Sequence, residues 1–130
     1  MKKLLILLFS LLFLSSPSVF ADTNSLFCKS ALEVEETYNK TFPKKIDEAT
    51  EIIQISVNCE NTVVKYTKRL LVDESLLSEG WDIRKQRQHT QLHCNADGMA
   101  STEGWTAMDV FFDKDYGYLI TLETTPKDCN

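Results

Sequence analysis

Apolar positions recur along the chain with two different periods, and the change from one to the other marks the elements. Phe27, Ala31, Val34 and Tyr38 share one face at helical spacing, while Glu33, Glu35 and Glu36 fall off it. That spacing predicts a helix capped by Asn24 or Ser25 and running to about Asn39. Phe42-Pro43 ends it, because proline disfavours helix in the residue before it. From Glu48 to Cys59 the period becomes two: Ile53, Ile55, Val57 and Cys59 alternate with Gln54, Ser56 and Asn58, which predicts a strand with one buried face. Glu60-Asn61-Thr62 turns the chain into a second strand from Val63 to about Val72. Val64, Tyr66, Leu70 and Val72 lie on one side, and Lys65, Thr67 and Arg69 on the other. Lys68 breaks the inward set, and an inward charge is a device of edge strands, so this strand is expected at a sheet edge.

A helical region then starts at Asp73 or Ser75 and reaches Cys94, with Leu76, Leu77, Ile83 and Leu92 as its apolar positions. Gly80 interrupts it at a cost of about 1 kcal/mol relative to alanine. The expectation is a short turn before Gly80 and a main helix from Trp81, or one helix kinked there. Asn95 to Gly98 breaks the pattern, and a helical turn from Met99 to Glu103 ends at Gly104, a good C′ residue. Met108, Val110 and Phe112 share a face, residues 113–117 turn, and Tyr118, Ile120 and Leu122 return before Pro126 stops the strand. The order α-β-β-α-β-β predicts a small α+β domain: a four-stranded antiparallel sheet with helices packed on one face.

The first 21 residues stand outside this pattern. Lys2 and Lys3 precede an apolar run from Leu4 to Leu14, and Val19 and Ala21 form a small-residue cleavage site, the layout of a signal peptide. The run, about 11 residues, falls short of the roughly 20 that a spanning helix needs. Residues 22–130 are expected to form one disulfide-stapled domain, periplasmic or secreted, with no membrane span after cleavage. Removing the two lysines takes the net charge from −5 to about −7. No basic footprint for a phosphate backbone remains, so nucleic acid is excluded as a partner.

Four cysteines, Cys28, Cys59, Cys94 and Cys129, read as a disulfide framework in an exported domain, and four allow three connectivities. The pairing Cys28–Cys59 with Cys94–Cys129 ties the helical layer to the sheet twice and is the favoured one; the other two stay open. Each bridge closes a loop of roughly 30 residues and stabilises by about 3–4 kcal/mol.

Candidate chemistry is sparse. His89 and His93 sit i, i+4 before Cys94 and could share a helix face toward a divalent metal, but further ligands are wanting. Two polar residues on the surface of a helix end explain them better, so no cofactor or metal is expected. Asp113-Lys114-Asp115-Tyr116-Gly117 departs from the EF-hand pattern at positions five, six and twelve, which leaves a hairpin turn. Arg84, Lys85 and Arg87 form a basic stripe flanked by Trp81 and Trp105. Together these are candidates for contact with a partner, although each tryptophan is more at home in a core. No G-x-S-x-G elbow, P-loop or CxxC is present. A binding protein with a protein partner in the cell envelope, accessory, regulatory or inhibitory, is therefore expected. The alternative is a small-ligand or metal binder using His89 and His93, and behind it stands a small hydrolase.

The order of parts resembles that of small exported bacterial proteins of unassigned function. A hairpin leads to a helix ending in cysteine (LHCNADG), a glycine precedes a last hairpin (EGWTAMDVFFDKDYGYLITLE), and the chain closes on TTPKDC. The resemblance covers about Phe42 to Cys129. It implies the Cys94–Cys129 pairing and a small α+β fold, and it carries no catalytic residues.

Overall fold

Ser25 opens the first element. Its hydroxyl accepts the Cys28 N–H at 3.0 Å, the usual way an N-cap satisfies a free donor of the first turn, and helix α1 follows from Leu26–Asn39. A cis Phe42–Pro43 bond then leads into the sheet. Its strands are β1 (Lys44–Lys45), β2 (Thr50–Asn58), β3 (Val63–Leu70), β4 (Thr106–Phe112) and β5 (Tyr118–Thr124). Between β3 and β4 lie a 3-10 turn (Glu74–Leu76), helix α2 (Trp81–Cys94) and the short helix α3 (Met99–Thr102), and a 3-10 turn (Pro126–Cys129) closes the chain. This computed structural model describes residues 25–130, so the targeting segment read from residues 1–21 lies outside it.

Gly80 divides the helical region as expected. The 3-10 turn has already ended at Leu76, and Gly80, with φ at 75°, holds a left-handed conformation that side chains other than glycine rarely adopt and is the N-cap from which α2 begins. Gly104, at φ 69°, holds the same conformation after α3.

The sheet differs from the expected four antiparallel strands. It has five strands in the order β1-β2-β3-β4-β5, and β3 pairs with β4 in parallel, Val63 opposite Thr106 through Arg69 opposite Phe112. The physical reason is the connection. A helix laid back across the sheet returns the chain to the end where β3 began, so the next strand runs in the same direction. Two antiparallel hairpins are thus joined by a parallel seam. The fifth strand is a pair of lysines opposite Glu51 and Ile52, with no apolar alternation to announce it.

Two further expectations change with the topology. β3 is the central strand, so Lys68 is no edge guard; it faces a buried acid, Asp109, at 2.7 Å. In β4 the buried set is Ala107, Asp109 and Phe111, while Met108, Val110 and Phe112 are only half-buried. A register shift at Ile53 lets both Ile52, opposite Lys68, and Ile55, opposite Tyr66, join the core.

The core has two centres. Cys28, Ile52, Ile55, Val64 and Trp105 form one, with Phe27 set edge-to-face on Trp105 at 4.8 Å. Leu70, Phe111 and Leu122 form the other, with Trp81 edge-on to Phe111 at 5.6 Å. Such ring pairs add about 0.5–1.5 kcal/mol beyond their buried area. Disulfides Cys28–Cys59 and Cys94–Cys129 tie α1 to the end of β2 and the end of α2 to the chain's end.

Candidate functional site

The two long helices lie over opposite margins of one sheet face: α1 packs on β2 and α2 on β5. Each also closes a strand edge with an amide side chain. Asn39 Nδ2 donates to the Ile55 carbonyl and its Oδ1 accepts the Ile55 N–H, both at 2.9 Å. A Glu35 carboxylate oxygen accepts the Val57 N–H at 2.5 Å. Across the sheet, Gln86 Nε2 donates to the Glu123 carbonyl at 3.0 Å and its Oε1 accepts the Glu123 N–H at 3.3 Å. These contacts occupy backbone groups that an open edge would present to another chain.

With the helices at the margins, adjoining depressions form a groove between them. Its α1 end is a cleft of about 180 Å³ lined by Phe27, Ala31, Val34, Val64, Tyr66 and Met99. Phe27 and Met99 also border a second depression of about 320 Å³, together with Leu92 and His93. Leu92 in turn borders a third, of about 190 Å³, that reaches Lys68, Lys85, His89 and Asp109. Adjoining depressions share bordering residues, and the groove they form is apolar at one end and charged at the other, its middle walled by helix and loop residues and not by the sheet. Apolar side chains stand in water on both rims: Val34 is 41% exposed and Leu92 61%.

The charged end is a buried polar network. Lys68 Nζ lies 2.7 Å from Asp109 Oδ2 and 5.6 Å from the centre of the Phe111 ring, a distance at which a cation gains from the ring face. His89 Nδ1 meets the Thr124 hydroxyl at 2.7 Å, while its Nε2 stands 3.6 Å from Asp109 Oδ1, too far for a hydrogen bond. His93 stacks beside it with ring centres 4.5 Å apart. Burial alone would raise the Asp109 carboxyl, but the His89 contact and the Lys68 ammonium outweigh it and hold the group below the ordinary carboxylate value. Burial pushes the His93 imidazole below its ordinary value, and His89 and Lys68 push the same way against the pull of Asp109. Burial also raises the Tyr66 phenol, and the Asp109 charge adds to it.

The residues singled out in the sequence separate here. Trp105 is 4% exposed and belongs to the core, and Trp81 is half-buried against the second cluster. Arg84 is occupied by the Glu79 carbonyl and the Ser78 hydroxyl, and Arg87 is exposed on α2. Lys85 alone of that stripe borders the groove. His89 and His93 do not sit on the helix surface as read: they are 4% and 9% exposed, because these are the positions α2 turns toward the sheet. Among the described residues no group of three or more His, Cys, Asp or Glu side chains is placed to hold a metal ion, and Cys94 is committed to its disulfide. The Asp113 turn holds itself, its Oδ1 accepting the Asp115 and Gly117 N–H groups at 2.8 and 2.7 Å. Sequence reasoning missed Asp109 and Thr124. The one available signal was Lys68, since an inward lysine calls for an inward acid.

Among the described residues no helix is long and apolar enough to cross a membrane. No protein-family model matches the chain, and no curated protein does. Two solved structures share its fold. One is the crystal structure of a candidate secreted protein from Pseudomonas aeruginosa, with a TM-score of 0.62 and 14% identity over 78% of this chain and 91% of that one. The other is the pilotin of the Vibrio vulnificus type 2 secretion system, with a TM-score of 0.58 and 10% identity over 78% of this chain and 90% of that one. Disulfides such as the two here persist outside the reducing cytoplasm, and this α+β fold with a five-stranded mixed sheet is one that such a secretion component also uses.

Proposed function

We propose that this is a non-enzymatic interaction protein of the cell envelope, periplasmic or secreted, whose interhelical groove receives an amphipathic segment of a protein partner. The observation that carries the reading is the line of adjoining depressions between two edge-bound helices, rimmed by solvent-exposed Val34 and Leu92. A water-facing apolar trough is what helix-in-groove recognition uses. The fold it shares with a secretion pilotin supports an accessory role. A hydrolase is less well supported, because Thr124, the hydroxyl that His89 touches, is fully buried and out of reach of a substrate. A metal site on His89 and His93 is less well supported too, since each ring is already enclosed by protein.

The test is photo-crosslinking in the living cell, with a crosslinking side chain placed in turn at Val34, Leu92 and Asp115. The same adduct is expected from both groove rims and none from the Asp115 turn on the far loop. Equal labelling at all three positions, or none at the rims, would reject the groove.

A further inference from the structure

The polar end of the groove holds more positive charge than it neutralises. Lys68 is committed to Asp109 at 2.7 Å, which leaves Lys85 as the uncompensated ammonium on the wall of the third depression. Lys85 is half-buried, and among the described residues it forms no ion pair. Beside it, His89 Nε2 is a buried side-chain nitrogen with no hydrogen-bond partner, on a residue 4% exposed. That nitrogen is shut off from the cavity and faces Asp109 Oδ1 at 3.6 Å, so His89 belongs to the wall, and the cation left open to a guest is Lys85. Leu92, Phe111 and Leu122 line the same depression, which restricts what enters to a small polar head on an apolar neck.

We propose that this end of the groove is a carboxylate-reading subsite: an Asp or Glu side chain of the protein partner is received beside Lys85, over the wall closed by His89 and the Lys68–Asp109 pair. The inference rests on the groove reading above and adds a direction to it. The partner's apolar side chains occupy the Phe27, Ala31 and Val34 end, and its acid fixes which end lies at α2. Charge decides among the alternatives. A lysine or arginine would meet Lys85 with like charge, a neutral amide would leave that ammonium uncompensated, and a carboxylate pairs with it through a charge-assisted hydrogen bond. In a protein of net charge −5, such a basic recess is also a means of rejecting partners of the wrong sign.

The experiment pans a displayed library of 12-residue peptides against the folded, disulfide-intact protein and locates the recovered peptides by amide chemical-shift changes. The expected result is a set that perturbs Leu92 and Val34 and carries Asp or Glu at a fixed spacing from an apolar stripe. Changing that acid to Gln, or changing Lys85→Glu in the protein, is expected to weaken binding about tenfold, and a peptide with Lys in place of the acid regains affinity for the Lys85→Glu protein. Peptides that map to the groove but bind equally well after both changes overturn the carboxylate subsite and leave the groove standing. Failure of every recovered peptide to perturb the groove rejects the groove and the subsite together. Should Lys85→Glu fold poorly, the peptide substitutions and Lys85→Gln decide the matter alone.

Discussion

The two long helices do the same structural task with opposite means of burial. Both lie over a margin of the sheet, both close a strand edge with a two-pronged amide, Asn39 on Ile55 and Gln86 on Glu123, and both are tied by a disulfide. Both leave apolar side chains between 41% and 84% exposed, Leu26, Leu32, Val34 and Tyr38 on α1 and Ile83 and Leu92 on α2, yet α1 sinks only Cys28 into the protein while α2 sinks two histidines. The difference teaches that neither helix depends on a full apolar stripe to stay in place. Hydrogen bonds to edge backbone and covalent ties hold both, so side chains on α1 and the sheet centre beneath are free to meet something else.

The largest test of that account removes the ties one at a time. The bridges enclose sequence separations of 31 and 35 residues, so loop entropy predicts nearly equal losses, about 3–4 kcal/mol each. Replacing Cys28 and Cys59 by Ala, and separately Cys94 and Cys129, and comparing urea unfolding free energies measures this. A gap larger than about 1 kcal/mol would show that one helix leans on its bridge more than the other, and the symmetry drawn above would be lost.

Next comes the polar seam on the α2 side. Lys68→Met strands Asp109, 7% exposed, and is expected to cost about 3 kcal/mol, the lower end for breaking a buried pair because Lys68 keeps some contact with water. Adding Asp109→Leu should restore most of the loss, since well-packed apolar replacements of buried pairs are often neutral. A double variant no more stable than the single one would show that His89 and Thr124 need the acid as much as Lys68 does. The clamps are smaller. Asn39→Ala and Gln86→Ala each remove two hydrogen bonds at an edge that water can reach, at about 1–2 kcal/mol. Amide exchange at Ile55 and Glu123 should quicken in the respective variant and not in the other.

How far these features could be read in advance follows the range of the interactions. Helix α1, both hairpins and the break at Gly80 rest on local periods and caps, and they stand where the pattern placed them, within a residue or two. The parallel seam does not, because β3 and β4 are neighbours only after a crossover of more than thirty residues, and nothing within either strand encodes its partner. β1 is two lysines held by backbone bonds alone. The inward phase of β4 was hidden by Asp109: an acid between Met108 and Val110 looks like a solvent position until Lys68, 41 residues away in sequence, is seen to neutralise it. The same blindness put His89 and His93 on the surface, since i, i+4 spacing fixes a common face without saying which way that face turns.

The smallest effect separates the two helices by pH. His93 has its imidazole lowered from the usual 6.5 by burial first and by His89 next, so the unfolded chain takes up that proton before the folded one does. Stability contributed by neutral His93 is therefore whole above about pH 6.5 and declines as pH falls below it. Asp109, lowered from 3.8 in spite of its burial, adds a second decline of the same sign only as pH drops through the carboxylate range. The expected thermal profile is flat from pH 8 to 7, with a first step beginning near 6.5 and a separate one at lower pH. His93→Asn should erase the first step and leave the second, and Asp109→Asn the reverse. The α1 side carries no histidine, so amides protected by α1, Ile55 among them, should respond only through global unfolding. If hydrogen exchange at pH 6 shows Ile55 loosening before the amides of α2, the acid sensitivity does not originate in the histidine pair, and the division between an inert α1 margin and a titratable α2 margin fails.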